Sequence, residues 1–235
     1  MAGMFDLAAF KRIVSAAVLA GMLAGLLLTA VQQIQVSRII LRAEVYEDAA
    51  AASQPANAHA SAGHEAWQPA NGVERTLFTA LANISLAVGF GLLLGAAICL
   101  RGKASGWRSG LLWGLAGYGI FFVAPSLGLP PEVPGTAAAP LADRQLWWLI
   151  TVALTASGLL LLIFARTWQL KILGAVMLGM PHLIGAPQPP VHAGTAPAEL
   201  AQAFVYATAV ANAVFWLALG GLTGLFYRKF ADHTA

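Results

Sequence analysis

Residues 13–34, IVSAAVLAGMLAGLLLTAVQQI, form an uncharged run that follows Lys11 and Arg12 and decides how the rest of the chain is read. At 1.5 Å per residue a helix of this length crosses the roughly 30 Å hydrocarbon layer of a bilayer. The run exceeds the roughly 7–15 apolar residues of a secretory signal core and is followed by no convincing A-x-A cleavage site. It therefore reads as a retained transmembrane helix. Composition agrees: 59% of the 235 residues are hydrophobic and 10% charged, against about 25% charged in a soluble domain. The mean hydropathy is +0.73.

Five further apolar spans follow, at 76–100, 110–127, 146–165, 172–184 and 203–226. The fifth is short for a full crossing and reads as a tilted or re-entrant segment. The expected fold is all-α: a polytopic transmembrane bundle of about six helices, or five plus a short or re-entrant one. We expect residues 1–235 to form a single integral membrane domain, with a periplasmic loop at 43–75 that is flexible in its Ala-rich part, 49–62.

Basic residues predict the orientation, because cytoplasmic loops carry the excess of Lys and Arg. With both termini inside, nine of the thirteen basic residues fall inside, and the short basic connections 101–108 and 166–171 both face inward. The net charge of +3 then encodes topology and implies no nucleic-acid partner. Eight of the ten carboxylates fall outside in this arrangement, as do His59, His64 and His192, with His182 near the outer end of the fifth span. The single cysteine, Cys99, lies in an apolar run and excludes a disulfide framework or a CxxC site.

Glycines recur four apart at Gly21/Gly25, Gly91/Gly95, Gly110/Gly114 and Gly220/Gly224. Such pairs let helix backbones approach closely in lipid and predict a tight bundle. Gln32, Gln33, Asn83 and Asn212 are polar exceptions within the spans. Individually they suit interhelical hydrogen bonds; together they are candidates to line one path. No Asp, Glu, Lys or Arg occupies the middle of a span, so an internal ion-pair relay finds no residues.

The candidate chemistry lies on the outer side. Glu44, Glu47 and Asp48 share one face if the first helix continues beyond the membrane. His64 and Glu65 follow in the loop, and Glu74 precedes the second span. Imidazole and carboxylate together suit borderline divalent metals. In GLPPEVPG, 128–135, three prolines forbid a regular helix and hold Glu132 in a stiff turn. In MPHLIGAPQPP, 180–190, Pro181 removes a helical hydrogen bond beside His182, which suggests an ion site at a broken helix. RQLWW, 144–148, reads as an interfacial aromatic belt at the start of the fourth span. HExxH, GxSxG, a phosphate loop and a dinucleotide fingerprint are all missing, and only His182 is available in a span as a haem ligand, so an enzyme is not expected.

Several of these stretches together resemble the CbtA family of predicted bacterial cobalt transporter subunits. They are FKRIVSAAVLAG, EAWQPANGVERTLFTALANI, WGLAGYGIFFVAPSLGLPPEVPG with the following RQLWW, and GMPHLIGAPQP, spread over the first five spans. Matching motif positions are Glu65, Trp67, Glu74, Arg75, Asn83, Glu132, Arg144, Gln145 and His182. The resemblance implies an inner-membrane protein tied to cobalt uptake and cobalamin synthesis, working with a small one-span B subunit. It assigns no metal ligands. From residue chemistry, His182, Glu132, His64, Glu65 and Glu74 are the expected metal-binding residues, with Asn83 and Asn212 continuing the path and cobalt(II) as cargo rather than cofactor. The contrasting expectation is a membrane scaffold that binds a protein partner through its acidic outer face. Oligomers are compatible with either.

Overall fold

The computed structural model describes residues 7–53, 67–102 and 106–232. His59, His64 and Glu65 lie outside them. Six long helices make up the described chain: α1 (Leu7–Ala52), α2 (Val73–Arg101), α3 (Trp107–Ser126), α4 (Leu141–Phe164), α5 (Trp168–Ile184) and α6 (Ala198–Asp232). Five of them, all except the 17-residue α5, are long and apolar enough to cross a membrane. This is an all-α, polytopic membrane protein. Helices suit a chain of this composition because they satisfy every backbone N–H and C=O internally, where lipid offers no partner.

The first helix outruns the apolar stretch that announced it. It continues to Ala52 and carries Glu44, Glu47 and Asp48 on its last turns, as the expected extension beyond the membrane requires. Two helices contain a wide π-type turn, α1 at Gln32–Val36 and α3 at Gly119–Val123. In the first, the Ser37 N–H reaches back five residues to the Gln32 carbonyl.

The chain divides into two compact units. The first comprises residues 1–37, 55–118 and 210–235. Along α1 the face that packs inward is mostly small: Ala16, Ala17, Ala20, Gly21, Ala24 and Gly25 are buried together with Leu28 and Thr29, whereas Leu19, Met22, Leu23, Leu26 and Leu27 are exposed. The larger buried side chains of the unit include Phe215, Trp216 and Leu219 on α6. A Cβ at Gly25 would lie 2.6 Å from Ile84 Cα, and one at Gly21 would lie 2.6 Å from Val88 N. Gly110 and Gly114 meet Gly220 and Gly224 in the same way: a Cβ at Gly220 would fall 2.6 Å from Gly114 Cα. All four glycine pairs of the sequence lie on helix faces that pack against a neighbour, Gly91 and Gly95 against Ala17 and Ile13. Towards the chain termini, Ala16, Ile98 and Tyr227 form a core flanked by Trp113 and Phe226, with the Arg12 guanidinium 5.4 Å from the Tyr227 ring centre.

The second unit comprises residues 38–54 and 119–209. Here α4 and α5 pack at Gly158 and Gly174, where a Cβ on Gly158 would lie 2.7 Å from the Gly174 carbonyl oxygen. Pro181 does not end α5. The helix runs on to Ile184, and the Gly185 N–H bonds the Pro181 carbonyl at 3.1 Å before Gly185 turns the chain at φ 88°. The loops 127–140 and 185–197 are tied by two backbone hydrogen bonds. Ala137 N–H donates to Ala193 O at 2.8 Å, and Thr195 N–H donates to Gly135 O at 3.2 Å.

Candidate functional site

Within the second unit, the prolines of loop 127–140 place Glu132. Pro130 and Pro131 have fixed φ angles and no N–H, so the segment cannot fold back into a helix. Leu129 N–H closes the preceding turn onto Pro125 O at 2.8 Å. Twelve residues on, α4 has begun at Pro140, and Arg144 occupies its first turn with its N–H bonded to Pro140 O at 3.1 Å. Its guanidinium therefore reaches back to the loop, and Nη2 donates to Glu132 Oε2 at 3.0 Å. Both side chains are about 30% exposed, at 31% for Arg144 and 28% for Glu132.

Two cavities adjoin this pair, and Leu129, Pro130, Pro131, Glu132 and Arg144 line both. One, of about 620 Å³, is walled by Phe121, Phe122, Pro125 and Trp148. The other, of about 440 Å³, lies under the joined loops and is lined by Thr136, Gln188, His192 and Gln202. His192 Nε2 is 3.3 Å from Gln188 Oε1. Pro187 and Pro189 also line this second cavity. Proline backbone supplies carbonyl acceptors without N–H donors, so four prolines tilt the backbone around it towards cation-compatible chemistry.

His182 sits elsewhere in the unit, near the end of α5. It is half-buried and packs edge-on against Trp147, ring centres 6.1 Å apart at 69°. Trp147 departs from the expected interfacial belt: it is 7% exposed and forms part of the packing. A Cβ on Gly128 would lie 2.7 Å from Trp147 Cζ2 and 3.0 Å from Ala186 Cβ, so glycine is required where the chain closes over the indole. Trp148 is half-buried against Phe121, centres 6.3 Å apart. The imidazole that shares a cavity with Glu132 is thus that of His192, an outer-side residue to which the sequence alone assigns no role. Its only signal in sequence was its place in a proline-rich stretch, 187–192.

The remaining candidates belong to the first unit. Glu74 is exposed in the first turn of α2 and accepts the Ala70 N–H at 3.2 Å, which makes it a helix-start residue. Asn83, 9% exposed, donates to Thr29 Oγ1 at 3.0 Å and to Gln32 Oε1 at 2.7 Å. Asn212 is half-buried on α6. Among the described residues, no group of three or more His, Cys, Asp or Glu is close enough to hold a metal ion.

A family model described as "Probable cobalt transporter subunit (CbtA)" matches residues 10–228. Searches of curated proteins and of solved structures each returned no match.

Proposed function

The chain belongs to the CbtA family of probable cobalt transporter subunits, and from that membership we propose that it is the permease subunit admitting Co²⁺, or a similar divalent transition metal, across the bacterial inner membrane. Both termini face the cytoplasm in this reading, which the bias of basic residues supports. The observation that carries it is the Glu132 carboxylate, held by prolines at a cavity that also presents His192 and Gln188. Carboxylate, imidazole and carbonyl oxygens are the donors that borderline divalent ions accept.

His64, Glu65 and Glu74 collect the ion from the periplasm, Glu132 carries the partly dehydrated site at the mouth, where His192 shares its cavity, and His182, packed against Trp147 elsewhere in the same unit, is a separate station on the way. Asn83 and Asn212 are the polar residues of the path within the first unit. A small one-span B subunit completes the transporter, the imported cobalt serves cobalamin synthesis, and no catalysis is involved.

Cobalt uptake by cells lacking their own transporters tests this, with the chain expressed alone or with its partner. Wild type should accumulate radioactive cobalt, and the double variant Glu132→Gln, His182→Ala should not, while remaining folded in the membrane. Unchanged uptake in the double variant would remove the proposed mouth. One observation favours the scaffold reading, in which the chain binds a protein partner and moves no ion: Glu132 is already neutralised by Arg144. Absence of cobalt uptake by the wild type with its partner would select that reading.

A further inference from the structure

The same ion pair that favours a scaffold takes on a different meaning once its surroundings are considered. Among the described residues, Glu132 is the one carboxylate lining the 440 Å³ cavity, and its Oε2 is held by the Arg144 guanidinium at 3.0 Å. A cation entering from the His192 side competes at that carboxylate with a positive charge already there. Arg144 also lines the 620 Å³ cavity on the other side, so the guanidinium has room to withdraw without leaving the protein.

We propose that Arg144 is a tethered stand-in cation that reserves Glu132 for divalent ions. The inference rests on the reading of Glu132 given above and adds the basis of its selectivity. Coulomb attraction scales with charge, and the guanidinium is a unit charge with directed N–H donors that match a carboxylate. Na⁺ or K⁺ brings the same charge without those donors and must be drawn from bulk solution, so it does not displace Arg144. A divalent ion brings twice the charge and does.

The displaced state is a hydrated one. Because no cluster of three His, Cys, Asp or Glu ligands exists among the described residues, the ion keeps much of its water. Glu132 then supplies the charge, while His192, Gln188 and the proline carbonyls accept or donate to the water shell. Arg144 acts through Glu132 and is a positioning residue.

Equilibrium dialysis of radioactive cobalt against the purified full-length chain in lipid nanodiscs tests the proposal. Cobalt is measured in Na⁺ and in N-methylglucamine at equal ionic strength, and folding is checked by thermal unfolding. Wild type should bind equally in both salts. Arg144→Gln should bind cobalt about two- to fivefold tighter in N-methylglucamine, the scale expected for removing one partly exposed ion pair. In Na⁺ that gain should shrink. Arg144→Lys, which lacks the planar fork, should move in the same direction by a smaller factor and serves as the measure if Arg144→Gln does not fold. Cobalt affinity unchanged or weakened in these variants, with Glu132→Gln abolishing binding, would overturn the role of Arg144 and leave the Glu132 site standing. Wild-type binding by Glu132→Gln would overturn both.

Discussion

The Asn83 carboxamide donates to Thr29 Oγ1 and to Gln32 Oε1, so one side chain on α2 holds two positions on successive turns of α1. Thr29 in turn donates to Gly25 O at 2.9 Å, where the two helix backbones approach closely. Small residues bring the backbones together, and the amide then fixes their sliding register. Asn83→Leu should lower stability by about 0.6–1.7 kcal/mol, the range for hydrogen bonds between membrane helices. Thermal unfolding in detergent reads this, and an unchanged midpoint would refute the clamp.

Gly25 and Gly89 stand on different faces of the same packing problem. A side chain at Gly25 has no room, its Cβ 2.6 Å from Ile84 Cα, whereas nothing lies within 4 Å of a Cβ at Gly89. Gly25→Leu should cost about 1–3 kcal/mol or more from overpacking. Gly89→Ala should be neutral or stabilising by up to about 1 kcal/mol through reduced backbone entropy in the unfolded chain. The contrast between the two melting curves is the check.

Gly135 bears on the loop clasp. Its φ is 76°, and a Cβ there would strike Thr195 Oγ1 and come within 3.3 Å of Glu47 Cβ. Gly135→Ala should cost about 1–2 kcal/mol locally and loosen the hydrogen bonds between loops 127–140 and 185–197. Cobalt uptake should fall, and limited trypsin cleavage after Arg144 should accelerate. Wild-type cleavage kinetics would show that the clasp survives.

His182 offers a separation of packing from chemistry. Its ring meets Trp147 edge-on, and Phe can keep that contact without a nitrogen. His182→Phe should melt within about 1 kcal/mol of wild type, since the aromatic pair is worth about that much, yet should lose cobalt uptake if the imidazole lies on the path. His182→Ala should lose both. Normal uptake by His182→Phe would confine the residue to packing.

Much of this architecture is legible in sequence because lipid leaves few choices. Long apolar runs must be helical, and GxxxG pairs such as Gly110/Gly114 have little use except close packing. The three prolines of GLPPEVPG single out Glu132, and the bias of basic residues puts it on the outer side. Its partner was not legible: Arg144 lies twelve residues away, and only the start of α4 at Pro140 turns it back to the loop. Trp147 is ambiguous in sequence because a tryptophan at a helix end satisfies either an interface or a core equally, and burial decides between them. His192 carries no sequence signal beyond its proline-rich stretch because it joins Glu132 only after two separate loops pair through Gly135 and Ala193.

The wide turn at Gln32–Val36 accommodates one residue more than an α-helix would use over the same rise. Removing a single residue from QQIQV therefore restores ordinary winding over the same rise and leaves the later positions of α1, Glu44, Glu47 and Asp48 among them, facing much as they do now. The same deletion in an ordinary turn, at Leu23 for instance, would swing every later position of the helix by about 100° about its axis. This turn is thus the place in α1 where the loss of one residue should be best tolerated, and a deletion at Leu23 should be rescued by an insertion before Ser37 where one placed beyond Ala52 should not rescue it.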